Sequence, residues 1–265
     1  MGRNQDIQFN VRVNETSVCL DERRGHYWLT LNRPHVLNAF DEEMLHEFVG
    51  ALETITDSGQ PLIITGAGRA FCTGGDLRAY LRRLDDQEGL RRYFLLLADV
   101  FERIVDYPGV TVAAVNGVAV AGGLELMCAC DLAVAAESAT LADGHINYGL
   151  HPGAGSSVLL GRMIGERRAR WLLLSGEFID AVEAERIGLV NRVVPDPELH
   201  EAATSMAAAV ARHSRAALRR TKRLIKSDIN DILRVERESL LEHFRDPETR
   251  SRLETFSARS QSKTT

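Results

Sequence analysis

Apolar positions along this chain recur with two different periods, and the switches between them predict its elements. Tyr27, Trp28, Leu29 and Leu31 are β-formers, and Gly25 frees the turn Glu22 to Gly25, so residues 17–31 predict a hairpin. Between Asn38 and Asp57 the residues Phe40, Met44, Leu45, Phe48, Val49, Leu52 and Ile55 return at three- and four-residue steps. That spacing predicts an amphipathic helix with Asp41 near its start. Pro61 to Thr65 and Val110 to Asn116 are short runs apolar on both faces, as in strands sandwiched between layers. The first runs into a Gly-rich turn, Gly66 to Gly75, and Leu84 to Val105 then predicts a helix with a charged outer face. The second leads through Val118 to Asp131, where two glycines open an apolar helix that carries one acid, Glu125. Leu132 to Ala136 is the next strand, and Ala139 to Tyr148 a further short segment before Gly149 to Gly155. From Ser156 the pattern is mainly helical, with a strand-like Leu189 to Val194 and only helices beyond Pro197. Repetition of strand, glycine turn and helix predicts an α/β fold built from similar turns.

Composition narrows the class without changing that picture. A chain of 265 residues, 45% hydrophobic, 26% charged and with a formal charge of −5, lies in the ordinary globular range, which disfavours a dedicated nucleic-acid binder. No apolar run approaches the roughly 20 residues of a membrane span. The N-terminal segment, with Asp6 and Glu15, has neither a signal core nor a transit pattern, so a cytoplasmic location is expected. Cys19, Cys72, Cys128 and Cys130 lack the paired spacing of a zinc site and read as reduced, mostly buried thiols. No metal site is expected. Ala211 to Lys226 holds seven Lys or Arg and no acid, which reads as a solvated helix face or a surface between subunits in preference to an RNA site.

Candidate chemistry starts at the glycine turns. Gly74-Gly75-Asp76 and Ala121-Gly122-Gly123 each follow an apolar strand and open a helix, so their backbone N–H groups are candidates for a negatively charging oxygen. Glycine would let a carbonyl approach the main chain without a Cβ in the way; equally, glycine pairs make tight turns. Glu125, among Leu124, Leu126 and Met127, lies in the first turn of an apolar helix, where an unused or unpaired carboxylate would be expensive. His145 could supply a second acid-base group with Asp143 orienting it, although a lone histidine also serves structural roles.

The order of motifs resembles the crotonase superfamily of enoyl-CoA hydratases and isomerases. It is carried by Leu31 to Ala39 (LNRPHVLNA), Ile64 to Leu77 (ITGAGRAFCTGGDL), Ala114 to Leu126 (AVNGVAVAGGLEL), Cys130-Asp131, Gly149 to Gly155 (GLHPGAG), Leu174 to Gly176 and Ile187 to Pro195. The resemblance implies a spiral of ββα turns over residues 1–195 and a helical C-terminal region, 196–265, that makes a homotrimer or a dimer of trimers. It also implies an acyl-CoA substrate, with coenzyme A as part of that substrate and no other cofactor. By position, Gly75 and Gly122 are implied oxyanion-hole donors and Glu125 matches the first of two hydratase glutamates. Arg33, His35, Val36 and Leu37, with Asp76, Leu77 and Arg78, occupy the places where the family grips coenzyme A.

The second hydratase glutamate lies seven residues ahead of the proline in the Pro-Gly-Ala-Gly turn, and that position here is His145, counted back from Pro152. Addition of water across a double bond needs one group to take a proton and another to give one. The expected activity is therefore of the hydratase/isomerase type, with Glu125 as principal base and His145 as its partner. The alternatives are a crotonase-fold hydrolase of a β-dicarbonyl or thioester using His145, and a non-catalytic or RNA-binding member of the fold.

Overall fold

The computed structural model describes residues 16–23 and 25–261. Arg24 of the expected hairpin turn, and Asp6 and Glu15 of the N-terminal segment, lie outside the described residues. β1 (Val18–Arg23) and β2 (His26–Leu31) form the expected antiparallel hairpin, with Val18 opposite Leu31. The first helix, α1 (Glu42–Ile55), starts later than its apolar period suggested. Leu37 and Asn38 have φ of 55° and 57°, a left-handed conformation that ends a single 3-10 turn at Pro34–Val36. Asp41 then caps α1 by accepting a hydrogen bond from Met44 N at 2.9 Å. Phe40 is thereby left off the helix and pairs as an isolated parallel bridge with Gly75.

Three ββ steps follow in sequence. β3 (Leu62–Gly66) is followed by β4 (Ala70–Cys72), a short strand inside what the glycines suggested was one long turn. α2 (Leu77–Leu81) and α3 (Gln87–Asp106) come next, α3 starting at Asp86, whose carboxylate accepts from Gly89 N at 2.8 Å. β5 (Thr111–Val115) and β6 (Val118–Val120) lead into α4 (Gly122–Ala129), and β7 (Leu132–Ala136) into β8 (Thr140–Ala142). The remainder comprises α5 (Ser156–Ile164), α6 (Glu166–Ser175), β9 (Ile179–Asp180), α7 (Ala181–Arg186) and β10 (Arg192–Val194). Four helices close the chain, α8 (Leu199–Ala211), α9 (Arg215–Ile225), α10 (Ile229–His243) and α11 (Pro247–Gln261).

Each step gives one strand to each of two sheets, in the orders β1-β2-β3-β5-β7-β10 and β4-β6-β8-β9. The neighbours β3, β5 and β7 are parallel, as are β4, β6 and β8, so the similar turns read from the strand and glycine pattern wind into the spiral that the resemblance implied. Strands apolar on both faces are covered on both faces. The main core holds Phe40, Phe48, Phe71, Tyr93 and Phe101, while Trp28, Ile63, Val112, Ala114 and Val134 pack the other side of the larger sheet against Leu199, Ala203 and Ala207 of α8.

The basic stretch is only partly a solvated face. Lys222 and Lys226 of the α9 segment turn inward and clamp Asp131, each ammonium 2.8 Å from one carboxylate oxygen. Asp131 also accepts from Thr111 N and Oγ1, so the latch ties α9 to the start of β5 and β7. Burial alone would raise the Asp131 carboxyl, but Lys226 and Lys222 outweigh it and hold the group below its ordinary value. Cys72, Cys128 and Cys130 are buried, Cys19 is half-buried, and all four are free thiols. Burial pushes Cys72 and Cys130 up to about 12, so neither is a nucleophile at neutral pH. No helix among the described residues is long and apolar enough to cross a membrane.

Candidate active site

The two glycine turns meet edge to edge. Phe40 N–H donates to Gly74 O and Asp76 N–H to Phe40 O, both at 2.8 Å, and strand alternation turns the N–H of Gly75 to the opposite side. Facing it there is the N-terminus of α4. A Cβ built on Gly122 would stand 3.0 Å from Gly74 Cα and 3.6 Å from Gly75 N, so only residues without side chains let these backbones approach. Gly123 has a separate reason, since a Cβ there would overlap the Cys72 carbonyl. Ala121 enters α4 at φ 53° and ψ −122°, a strained conformation for an alanine, and is fixed by donating its N–H to Asp143 O at 2.9 Å. Gly122 is the first residue of α4, so its N–H precedes any intrahelical acceptor and points out with the positive end of the helix. The expected pair, Gly75 and Gly122, is thus brought together.

Glu125 and His145 join them. Glu125 is 2% exposed, and its Oε1 accepts from Ala154 N at 2.8 Å and Gly153 N at 3.2 Å. The Pro-Gly-Ala-Gly turn therefore orients this carboxylate and leaves Oε2 to face His145 Nε2 at 3.7 Å. On its other edge the imidazole donates from Nδ1 to Asp143 Oδ1 at 3.1 Å, and Ser156 Oγ donates to Asp143 Oδ2 at 2.6 Å. Burial is the main reason the Glu125 carboxyl rises from 4.5 to about 7; Glu236 and Asp143 add to the rise, while His145 and the Ala154 N–H oppose it. Burial works against a charged His145, but the carboxylates of Asp143 and Glu125 outweigh it and raise the imidazole from 6.5 to about 9. Near neutral pH the site can hold an imidazolium beside a carboxyl poised to lose or gain a proton, which suits proton transfer in either direction.

Glu236 is the acid that spacing did not single out. It reaches from α10 to accept from Gly155 N at 2.6 Å, Ser157 N at 3.0 Å and the Ser157 hydroxyl, capping α5 and bracing the turn that holds Glu125. A signal was present, because Leu233, Glu236, Leu240 and Phe244 recur at three- and four-residue steps and so share the buried face of one helix. Tyr80 was missed as well; its hydroxyl lies against Gly75, where a Cβ would overlap it.

The expected coenzyme A contacts divide. Arg33 is engaged internally, donating to Ala39 O at 2.6 Å and pairing with Asp41 at 2.7 Å. His35 and Arg78 are exposed, Val36 and Leu37 are half-buried, and Asp76 caps α2 by accepting from Arg78 N at 2.9 Å, with Leu77 half-buried beside it. The two segments adjoin: Thr73 Oγ1 donates to Leu37 O at 3.2 Å, and Phe40 pairs with Gly75. Among the described residues no group of three or more His, Cys, Asp or Glu could hold a metal ion.

The chain as a whole is similar to known proteins. The sequence model of the family described as Enoyl-CoA hydratase/isomerase matches residues 22–258. A short-chain-enoyl-CoA hydratase of Clostridium acetobutylicum is 32% identical over 247 residues, covering 91% of this chain and 94% of that one. The crystal structure of an enoyl-CoA hydratase from Bacillus halodurans superimposes with a TM-score of 0.84 at 28% identity, covering 91% of this chain and all of the other. A monofunctional enoyl-CoA isomerase from M. smegmatis superimposes at 0.67 with 34% identity, covering 81% of this chain and 94% of that one.

Proposed function

This chain belongs to the enoyl-CoA hydratase/isomerase family, and from that premise we propose that it turns over an enoyl-CoA thioester through an enolate, with Gly75 and Gly122 as oxyanion donors and Glu125 and His145 as the acid-base pair. The observation that carries this reading is Glu125 Oε2 facing His145 Nε2 at 3.7 Å beside the joined glycine turns. In hydration, Glu125 takes a proton from water as its oxygen bonds to the β-carbon, and the double-bond electrons move onto the thioester oxygen. His145 then gives its proton to the α-carbon. The proton left on Glu125 passes to His145 and restores the starting state. Isomerisation needs less, since one group can take a proton from one carbon and return it to another. Two backbone donors and the positive end of α4 stabilise the charged oxygen in both cases, and removing one comparable donor costs about 2.7 to 4 kcal/mol.

Coenzyme A enters as part of the substrate, along the adjoining segments 33–37 and 76–78, where His35 and Arg78 are the exposed cationic or ionisable side chains. No other cofactor takes part. The assembly is a homotrimer or a dimer of trimers. The reading is tested by incubating the protein with 2-enoyl-CoA and 3-enoyl-CoA thioesters of several chain lengths and following absorbance and mass. Turnover is expected with at least one; none with any overturns it. Glu125→Gln should lower turnover by roughly 10² or more. His145→Gln should suppress hydration more than isomerisation, because only hydration requires the second group.

The Asp143–His145 hydrogen bond favours a second reading, in which His145, once neutral above about pH 9, activates water to hydrolyse a thioester or a β-dicarbonyl. Free thiol or a cleaved carbon skeleton among the products would select it. An RNA-binding role loses support from the inward turn of Lys222 and Lys226, and absence of binding at low salt would end it.

A further inference from the structure

We propose that the Tyr80 hydroxyl is a third hydrogen-bond donor to the oxygen held between Gly75 and Gly122, and so a catalytic group for the enolate; the inference rests on the acyl-CoA reading above. Three features of the site support it. Glycine at 75 is what admits the hydroxyl, because any Cβ there would overlap the Tyr80 oxygen and its ring carbon Cζ. The phenol end of Tyr80, from α2, therefore lies in the space beside the Gly75 backbone.

The ring is held firmly. Tyr80 is 6% exposed and packs edge-on to Tyr93 and Phe244, with centroids 5.3 and 5.5 Å away, and tilted against Phe94 at 5.3 Å. Phenylalanine would satisfy all of these contacts, so packing does not account for the oxygen. The neighbouring Tyr93 is itself anchored, its hydroxyl donating to Phe40 O at 2.8 Å. Tyr93 thus has its proton committed to Phe40 O and none to spare for Tyr80. Phe40 in turn pairs with Gly75, which closes a loop from the phenol back to the oxyanion turn.

The Tyr80 hydroxyl proton can rotate about the C–O bond toward a ligand oxygen without moving the ring. Burial raises the phenol above its ordinary value, Tyr93 opposes the rise and the carboxylates of Glu125 and Asp76 add to it, so the group stays a neutral donor near neutral pH. Amid Phe94 and Phe244 its hydrogen bond to a charged oxygen is stronger than it would be in water. A ground-state thioester carbonyl gains little from a third donor, whereas an enolate oxygen gains more.

The test compares wild type and Tyr80→Phe with two ligands, acetoacetyl-CoA, whose enolate is detected by its near-ultraviolet absorbance, and saturated butyryl-CoA, which forms no enolate of comparable stability. Expected for the variant are a fall of roughly tenfold or more in enolate formation, a similar or larger fall in kcat, and little change in butyryl-CoA affinity or KM. The ratio of the two affinities, taken on one preparation, is unaffected by any unfolded fraction. An unchanged ratio and kcat would leave Tyr80 as a packing residue and overturn the proposal. Wild type that binds neither ligand and turns over no enoyl-CoA would overturn the acyl-CoA reading, and this inference with it.

Discussion

At the scale of single residues, a buried acid and a buried base face each other at 3.7 Å, and the proposed activity turns on the proton they exchange. Activity as proposed needs Glu125 ionised and His145 protonated, and their values of about 7 and about 9 bound the window in which both hold. The pH dependence of kcat/KM should therefore be bell-shaped, rising through about 7 and falling through about 9. Asp143→Asn, which removes the carboxylate on Nδ1, should draw the alkaline limb downward; a limb that stays in place would separate His145 from the profile. Stability follows the same groups. Glu125 binds its proton more tightly in the folded chain than in the unfolded one, so its contribution declines as pH rises from 4.5 to about 7, and that of His145 declines from 6.5 to about 9. Glu125→Gln should then become more stable relative to wild type on going from about pH 5 to about pH 8, even as it loses activity. Thermal unfolding at both pH values checks this, and an unchanged difference would show that burial of the charge costs nothing.

At the scale of elements, what could be read in the chain depended on whether a residue's role was set by its neighbours in sequence. Gly122 and Glu125 were legible because a strand, a glycine pair and an apolar helix follow one another within Val118 to Asp131, and helical geometry alone puts the acid one turn past the N-terminus. Asn38 was not. Its side chain accepts from Arg33 N at 2.9 Å and donates to the carbonyls of Ala67 and Ala70 at 3.0 and 2.8 Å, and these long-range bonds hold the left-handed backbone that cuts α1 short. Periodicity cannot register bonds of that kind. The basic run is a solvated face at Arg212, Arg215, Arg219, Arg220 and Arg223, and the inward turn of Lys222 and Lys226 escaped notice for the same reason, since their partner Asp131 lies far away in sequence. That latch predicts its own behaviour. Lys222 and Lys226 are both 9% exposed at the side chain, and Asp131→Asn would leave two ammonium groups together without a counter-charge. A loss of about 3 to 5 kcal/mol is expected, with α9 loosening first. Denaturant unfolding measures the first and amide exchange over 215–226 the second; a change under about 1 kcal/mol would mean the lysines find water instead.

At the scale of the whole molecule, the residues of the proposed site and an exposed apolar face adjoin but do not coincide. Glu125, His145, Gly75, Gly122 and the bracing Glu236 all come from one chain, so α10, beyond residue 195, helps to build the proposed site. The outward surface beside them is unusually apolar. Trp171 is 62% exposed, Leu174 74%, Phe178 50% and Val182 64%, on α6, the following loop and α7. Trp171 Nε1 donates to Glu177 at 2.7 Å and Asn147 Nδ2 to Gly176 O at 2.9 Å, which joins this patch to the 3-10 turn His145–Tyr148. Exposed aromatic and aliphatic side chains gathered in this way mark a contact surface, and a closed ring of identical subunits would cover it in every copy. Replacing Trp171 and Leu174 together by Glu should give a smaller species in size-exclusion chromatography with light scattering. Because His145 is held from within by Asp143, and Asp143 by Ser156, the dissociated chain should still turn over substrate. A variant that keeps its full mass would remove this face from the interface. Dissociation with complete loss of turnover, and with the fold intact by circular dichroism, would mean instead that a neighbouring subunit presses the His145 turn into its working position.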